Sequence, residues 1–123
     1  MTKNLDIPTA LLDGTTITYQ YVNGWAFTVS FADGRGHWLA VAGEYEGQES
    51  DGLFEYKAHR LGEDIYLVQW DEKHGVDLDF VTLHLNFNTK QVFASALLFY
   101  GQTQSKQKSA VFEPGIISLV ERK

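Results

Sequence analysis

Thr15-Thr16-Ile17-Thr18-Tyr19-Gln20-Tyr21-Val22-Asn23-Gly24-Trp25-Ala26-Phe27-Thr28-Val29-Ser30-Phe31-Ala32 is the stretch whose reading decides the fold. Ahead of Asn23-Gly24, Ile17, Tyr19 and Tyr21 alternate with Thr16, Thr18 and Gln20. Behind it, Trp25, Phe27, Val29 and Phe31 share one phase, and the small residues Ala26, Thr28, Ser30 and Ala32 share the other. Period-two alternation marks a half-buried strand. Asn-Gly between two such runs is a strong hairpin signal, because both residues tolerate positive φ.

The same pattern extends in both directions. Asp33-Gly34-Arg35-Gly36 is the next turn, and His37 to Gly43 a third strand. Glu44 to Gly52 is acidic and glycine-containing, and reads as a longer, mobile loop. Leu53 to Leu61 and Ile65 to Glu72 are strands four and five, separated by Gly62-Glu63-Asp64. Val76 to Phe87 changes phase: Val76, Leu78 and Phe80 are apolar at even positions, and Val81, Leu83, Leu85 and Phe87 at odd ones. An extra residue near Phe80 and Val81, a β-bulge, accounts for the change. Gln91 to Tyr100 is a seventh strand, and Ala110 to Glu121 an eighth, interrupted at Pro114-Gly115. About eight evenly spaced strands predict an all-β, lipocalin-like, up-and-down antiparallel barrel. Residues 1–123 form one domain on this reading, and the segment 1–13 supplies a short helical turn over Pro8 to Asp13 that plugs one barrel end. Closure removes exposed sheet edges and leaves room inside for side chains or one small ligand.

Bulk properties narrow the function. The 123 residues are 44 % hydrophobic and 14 % aromatic, enough for a core without cross-links. Cysteine is absent, which removes disulfides, thiolate metal sites and cysteine nucleophiles. It also suits a reducing, cytoplasmic setting. The first residues carry neither a secretory nor a membrane-spanning apolar run. The net charge of −6 argues against nucleic acid. The basic residues Lys106, Lys108, Arg122 and Lys123 read as a solvated loop and tail. The four histidines show no paired ligand spacing, so no metal is expected. His84 shares a polar phase with Thr82 and Asn86 and is expected to lean toward water. Asp77 and Asp79 share a phase and are expected on a solvated face.

Two short signals carry possible chemistry. Tyr19 and Tyr21 stand one pleat repeat apart. They read either as core tyrosines beside a hairpin or as two parallel donors for a carboxylate or carbonyl. In Trp70-Asp71-Glu72-Lys73-His74-Gly75, Glu72 shares a face with Trp70 and Val68. It reads either as an exposed residue at a turn or as a carboxyl against aromatic walls, suited to proton transfer.

Together the two signals resemble the phenolic acid decarboxylases and the MoaF-like proteins, small lipocalin-type barrels. The former carry Tyr-x-Tyr-x-Asn-Gly-Trp on the first strand, here Tyr19, Tyr21, Asn23, Gly24 and Trp25. They carry Trp-x-Glu-x-x-Gly at a later strand end, here Trp70, Glu72 and Gly75. The resemblance runs from about Leu12 to Leu98. It implies that Tyr19 and Tyr21 orient a substrate carboxylate and that Glu72 handles a proton, in a cofactor-free loss of CO2 from a 4-hydroxycinnamic acid. The arginine those enzymes use in a Gly-Arg-Trp stretch aligns here with Glu49, in an acidic segment that would repel an anion. Arg60, on the fourth strand, is the candidate to replace it. No residue pattern points to pterin chemistry, and no cofactor is expected.

Three functions follow. The foremost is a module binding a small aromatic or apolar molecule among Tyr19, Tyr21, Trp25, Phe27 and Trp70, with Glu72 as polar anchor. The second is a decarboxylase-like catalyst using Glu72, Tyr19 and Tyr21. The third is an interaction domain whose interior is filled by its own side chains. Resemblance to barrels of this type adds the expectation of a homodimer.

Overall fold

The computed structural model describes residues 8–74, 77–100 and 109–123. Its strands are β1 (Thr15–Tyr21), β2 (Ala26–Ala32), β3 (Arg35–Ala42), β4 (Phe54–Gly62), β5 (Ile65–His74), β6 (Asp77–Asn86), β7 (Gln91–Tyr100) and β8 (Ser109–Arg122). Each pairs antiparallel with the next, and β8 returns to β1, so the sheet closes into a barrel. No helix occurs among the described residues, and none is long and apolar enough to cross a membrane. The eight-stranded all-β barrel expected from alternation is the observed architecture.

The turns follow from local chemistry. At Asp33-Gly34 both residues take positive φ, 54° and 73°, as a two-residue hairpin of the I′ type requires. Asn23-Gly24 differs from expectation. Only Gly24 is left-handed, at 93°. Tyr21 N–H reaches the Trp25 carbonyl at 2.8 Å, which makes Val22-Asn23-Gly24 a three-residue loop. Asn23 Oδ1 accepts from Trp25 N–H at 3.0 Å and fixes where that tryptophan leaves the turn.

Four other expectations change. The phase of β6 does not flip. Its register against β5 is unbroken from Asn86 to Asp77, and Leu78↔Tyr100 followed by Phe80↔Leu97 places the extra residue on β7 instead. Asp79 therefore continues the inward row of Val81, Leu83 and Leu85, while Phe80 faces out at 37 % exposure. β8 runs unbroken through Pro114-Gly115. The segment after β3 is not a free loop: it folds back along β3, with Ala40 N–H on the Gln48 carbonyl at 2.8 Å and Ser50 N–H on the Trp38 carbonyl at 3.0 Å. Arg122 is not simply solvated, since it pairs with Asp64 at 2.9 Å and lies over the Phe87 ring. Lys106 and Lys108 fall outside the described residues.

The barrel has two halves. In the lower one Ile17, Val29, Val68, Leu83, Leu85 and Val92 are fully buried. Each contributes about 1.5–3 kcal/mol by leaving water. The bottom is closed by the turn before β1, which is not helical. Leu12 is buried there, and the Tyr56 hydroxyl accepts from Leu12 N–H at 2.9 Å and donates to Asp13 Oδ1 at 2.8 Å. One seam is short: β3 and β4 pair only at Arg35↔Glu55 and Gly36↔Phe54. Beyond it β3 bonds its own returning segment, and Ala58 of β4 donates to the Thr9 carbonyl at 2.9 Å.

Candidate functional site

The upper half holds a cavity of about 100 Å³, set among the ends of β1, β3, β5 and β7 and the beginnings of β6 and β8. Tyr19, Tyr21, Trp25, Phe27, Trp70 and Glu72, the six residues singled out from sequence, all line it. Trp38, Tyr45, Gln48 and Asp79 join them.

Glu72 is buried, not exposed at a turn, with 9 % of its surface accessible. Trp38 Nε1 donates to its Oε1 and Oε2 at 2.9 and 2.8 Å, and Trp70 Nε1 donates to Oε2 at 2.8 Å. These donors offset part of the carboxylate's lost hydration and fix its orientation. The tryptophans are fixed in turn. Trp70 stacks on Phe54 at 4.5 Å, the planes 11° apart. Phe54 lies across Gly36, where any Cβ would collide with its ring. Trp38 meets Phe27 edge-on at 5.5 Å.

Tyr19 and Tyr21 both point inward, 3 % and 6 % exposed, with ring centroids 5.3 Å apart. Burial, then the neighbouring Tyr21 and more weakly Glu72, hold the Tyr19 phenol well above the ordinary range. Burial likewise pushes Tyr21 up, with the Glu113 carboxylate adding to it. Both are therefore neutral donors across physiological pH. Trp25 forms a side wall, edge-on to Tyr45 at 5.1 Å, and Gly43 at φ 95° admits its ring where a Cβ would meet Trp25 Cδ1 at 2.6 Å.

Asp79 corrects the expectation of a solvated face. It is 5 % exposed, lines the cavity, and stands in register with Glu72. Arg60 does not reach inside: it is exposed, and its Nε donates to the Gly62 carbonyl at 3.1 Å. Glu49 also stays outside, against His37 Nε2 at 2.7 Å. His84 is half-buried beside Phe93, its Nδ1 enclosed without a hydrogen-bond partner, so it is less wet than expected. Among the described residues no group of histidines and carboxylates is placed to hold a metal ion.

Trp38 was the principal omission from sequence. Its signal was faint: one large residue between Gly36 and Ala40 on the inward phase of β3. Such a spacing leaves room for an indole to lean across the barrel toward a strand 34 residues away.

Over residues 2–97 the sequence matches the family model of the MoaF N-terminal domain. No curated protein matches it. A crystal structure named as that of a "putative beta-lactamase" from Burkholderia vietnamiensis superposes with a TM-score of 0.66, covering 95 % of this chain and 100 % of that one at 16 % identity. At that identity the likeness is one of fold.

Proposed function

The chain belongs to the MoaF N-terminal domain family, and on that premise we propose that its barrel is a receptacle for a small, flat, mostly apolar or aromatic molecule. The observation that carries this reading is the cavity itself: aromatic walls, two neutral phenol donors and an anchored carboxylate around one space. Pockets of this make-up bind through apolar contact and orient through a few polar groups. About 100 Å³ is close to the roughly 150 Å³ of an apolar cavity able to take benzene, so a single ring is the matching size. The cysteine-free sequence suits a reducing, cytoplasmic setting for this role. A homodimer belongs to the same proposal: the outer faces of β7 and β8 expose Phe93, Phe112 and Ile116 at 49, 85 and 60 %. Sedimentation as a monomer at working concentration removes it.

Decarboxylation of a phenolic acid ranks below binding. That chemistry asks for a cation beside the substrate carboxylate, and among the described residues no lysine or arginine lines the cavity.

The test is a thermal-shift screen of single-ring aromatics and 4-hydroxycinnamic acids, with absorbance followed for turnover. Stabilisation by a neutral ring, lost in the Tyr19→Phe/Tyr21→Phe double variant, is the expected result. A flat response to every compound overturns the binding reading, and turnover of a cinnamic acid restores the enzymatic one.

A further inference from the structure

We propose that the segment between Gly43 and Gly52 is a hinged strap, and that a small molecule enters and leaves the cavity by displacing it. This rests on the binding reading above and adds the route. Tyr19, Tyr21, Trp38, Trp70 and Glu72 line the cavity, yet each is nearly inaccessible from outside. A ring reaches them only if part of the enclosure moves.

The walls differ in how they are held. From β4 through β8 and β1 to β3, each strand is laddered to the next over most of its length, and moving one breaks many main-chain bonds together. The β3–β4 seam is the exception. It ends at Gly36↔Phe54, and beyond it the segment after β3 stands in for the missing neighbour. Among the described residues, that segment's backbone bonds outside itself run only to β3, at Trp38 and Ala40. Its Tyr45 and Gln48 complete the cavity wall. On the outside it adds the exposed His37–Glu49 pair, a kind of contact that holds little in water. Gly43 and Gly52, at φ 95° and 87°, bound it. Glycine takes large backbone changes at little steric cost, as hinge positions must. Lifting the strap gives up the bonds to Trp38 and Ala40 and the Trp25–Tyr45 contact, and leaves the closed ladder of the other strands whole.

The experiment locks the strap with a disulfide. Leu39 and Glu49 face each other across the strap and β3, both exposed. The bonds that flank them, Ala40 N–H to the Gln48 carbonyl and Ser50 N–H to the Trp38 carbonyl, mark them as a non-hydrogen-bonded pair. Such pairs hold their Cα atoms about 4.5 Å apart, within reach of a disulfide. The chain has no cysteine of its own, so Leu39→Cys/Glu49→Cys introduces only this bridge. Association and dissociation of benzyl alcohol are followed on the full chain after rapid mixing, by the emission of Trp25, Trp38 and Trp70, which all line the cavity. Oxidation is expected to slow both rates about tenfold or more and to leave Kd unchanged, the signature of a blocked route rather than an altered site. Gly47→Ala supplies the opposite change. Nothing lies within 4 Å of the added Cβ, and the φ of 89° strains the seated strap. Both rates are then expected to rise about threefold. Equal rates in the oxidised and reduced forms overturn the strap and leave the binding reading standing, because the molecule then enters elsewhere. If benzyl alcohol does not bind the unaltered chain, the binding reading falls and takes the route with it. If the cysteine pair fails to fold or to close, Gly47→Ala decides: faster exchange upholds the strap, and unchanged rates overturn it.

Discussion

Trp38 and Glu72, on strands separated in the barrel by β4 alone, are joined through one indole nitrogen that reaches both carboxylate oxygens, at 2.9 and 2.8 Å. The bond ties β3 to β5 across the interior, where the short β3–β4 seam supplies little pairing. It also makes an acidic residue deep in an aromatic cavity compatible with a stable fold.

Removing the donor should therefore be costly. Trp38→Phe keeps a ring in place but leaves a buried carboxylate short of a partner. The expected loss is about 1.5–3 kcal/mol, the usual range for a hydrogen bond to a charged group. Urea denaturation measures it, and an unchanged midpoint would mean that the bond carries no net stability.

High pH should weaken the fold through Tyr19 and Tyr21. Unfolded phenols lose their protons near pH 10. In the folded chain both hold theirs to higher pH, because burial and nearby carboxylates disfavour the phenolate. Above about pH 10 the unfolded state binds fewer protons, so stability falls as pH rises, by up to about 1.4 kcal/mol per unit for each phenol. Below that window these groups add no slope. Denaturation curves collected across the alkaline range test this, with the double phenylalanine variant expected to flatten the decline.

Tyr56→Phe removes the hydroxyl that bridges Leu12 N–H and Asp13 Oδ1 at the barrel floor. An amide and a carboxylate lose a partner together, for an expected cost of about 1–3 kcal/mol. Faster amide exchange at Leu12 is the local sign, and unchanged exchange would show that the floor is held by packing alone.

Gly115→Ala tests the β1–β8 closure. Gly115 faces Tyr21 in the register, and a Cβ there would strike the Gln20 carbonyl and lie 3.0 Å from Tyr21 Cα. Backbone cannot give way as a side chain does, so the strands must part. The expected destabilisation is about 1–3 kcal/mol or more, read from the thermal midpoint. A neutral result would mean that the seam is looser than its geometry.

Much of this molecule was legible beforehand, and what escaped did so for physical reasons. Alternation along β1 and β2 gave the inward positions of Tyr19, Tyr21, Phe27 and Val29, because a buried face must repeat every second residue. Glu72 shares the phase of Trp70, which left it either exposed at a turn or against aromatic walls, and the resemblance carried by Trp70, Glu72 and Gly75 singled it out. Asp79 was misplaced because an aspartate near a turn is ordinarily exposed, and because the change in apolar phase was assigned to β6, when the extra residue sits on β7. A bulge shows only in the pairing of two strands, and one strand's sequence does not reveal which partner carries it. Trp38 escaped because its partner is remote in sequence. The fold-back after β3 escaped because its backbone bonds leave little trace in side-chain pattern.

The fold-back also divides the barrel into parts of unequal tenacity. Tyr45 and Gln48 ride on a segment whose backbone is tied to β3 at Ala40, Gly47 and Ser50, outside the main ladder. Such a segment can detach by local unfolding while Val29, Val68 and Leu83 stay sealed. Amide protons of Ala40 and Ser50 should then exchange with deuterium well before those of the lower core. A molecule seated against Tyr45 would slow them selectively, turning that corner of the wall into its own reporter of occupancy.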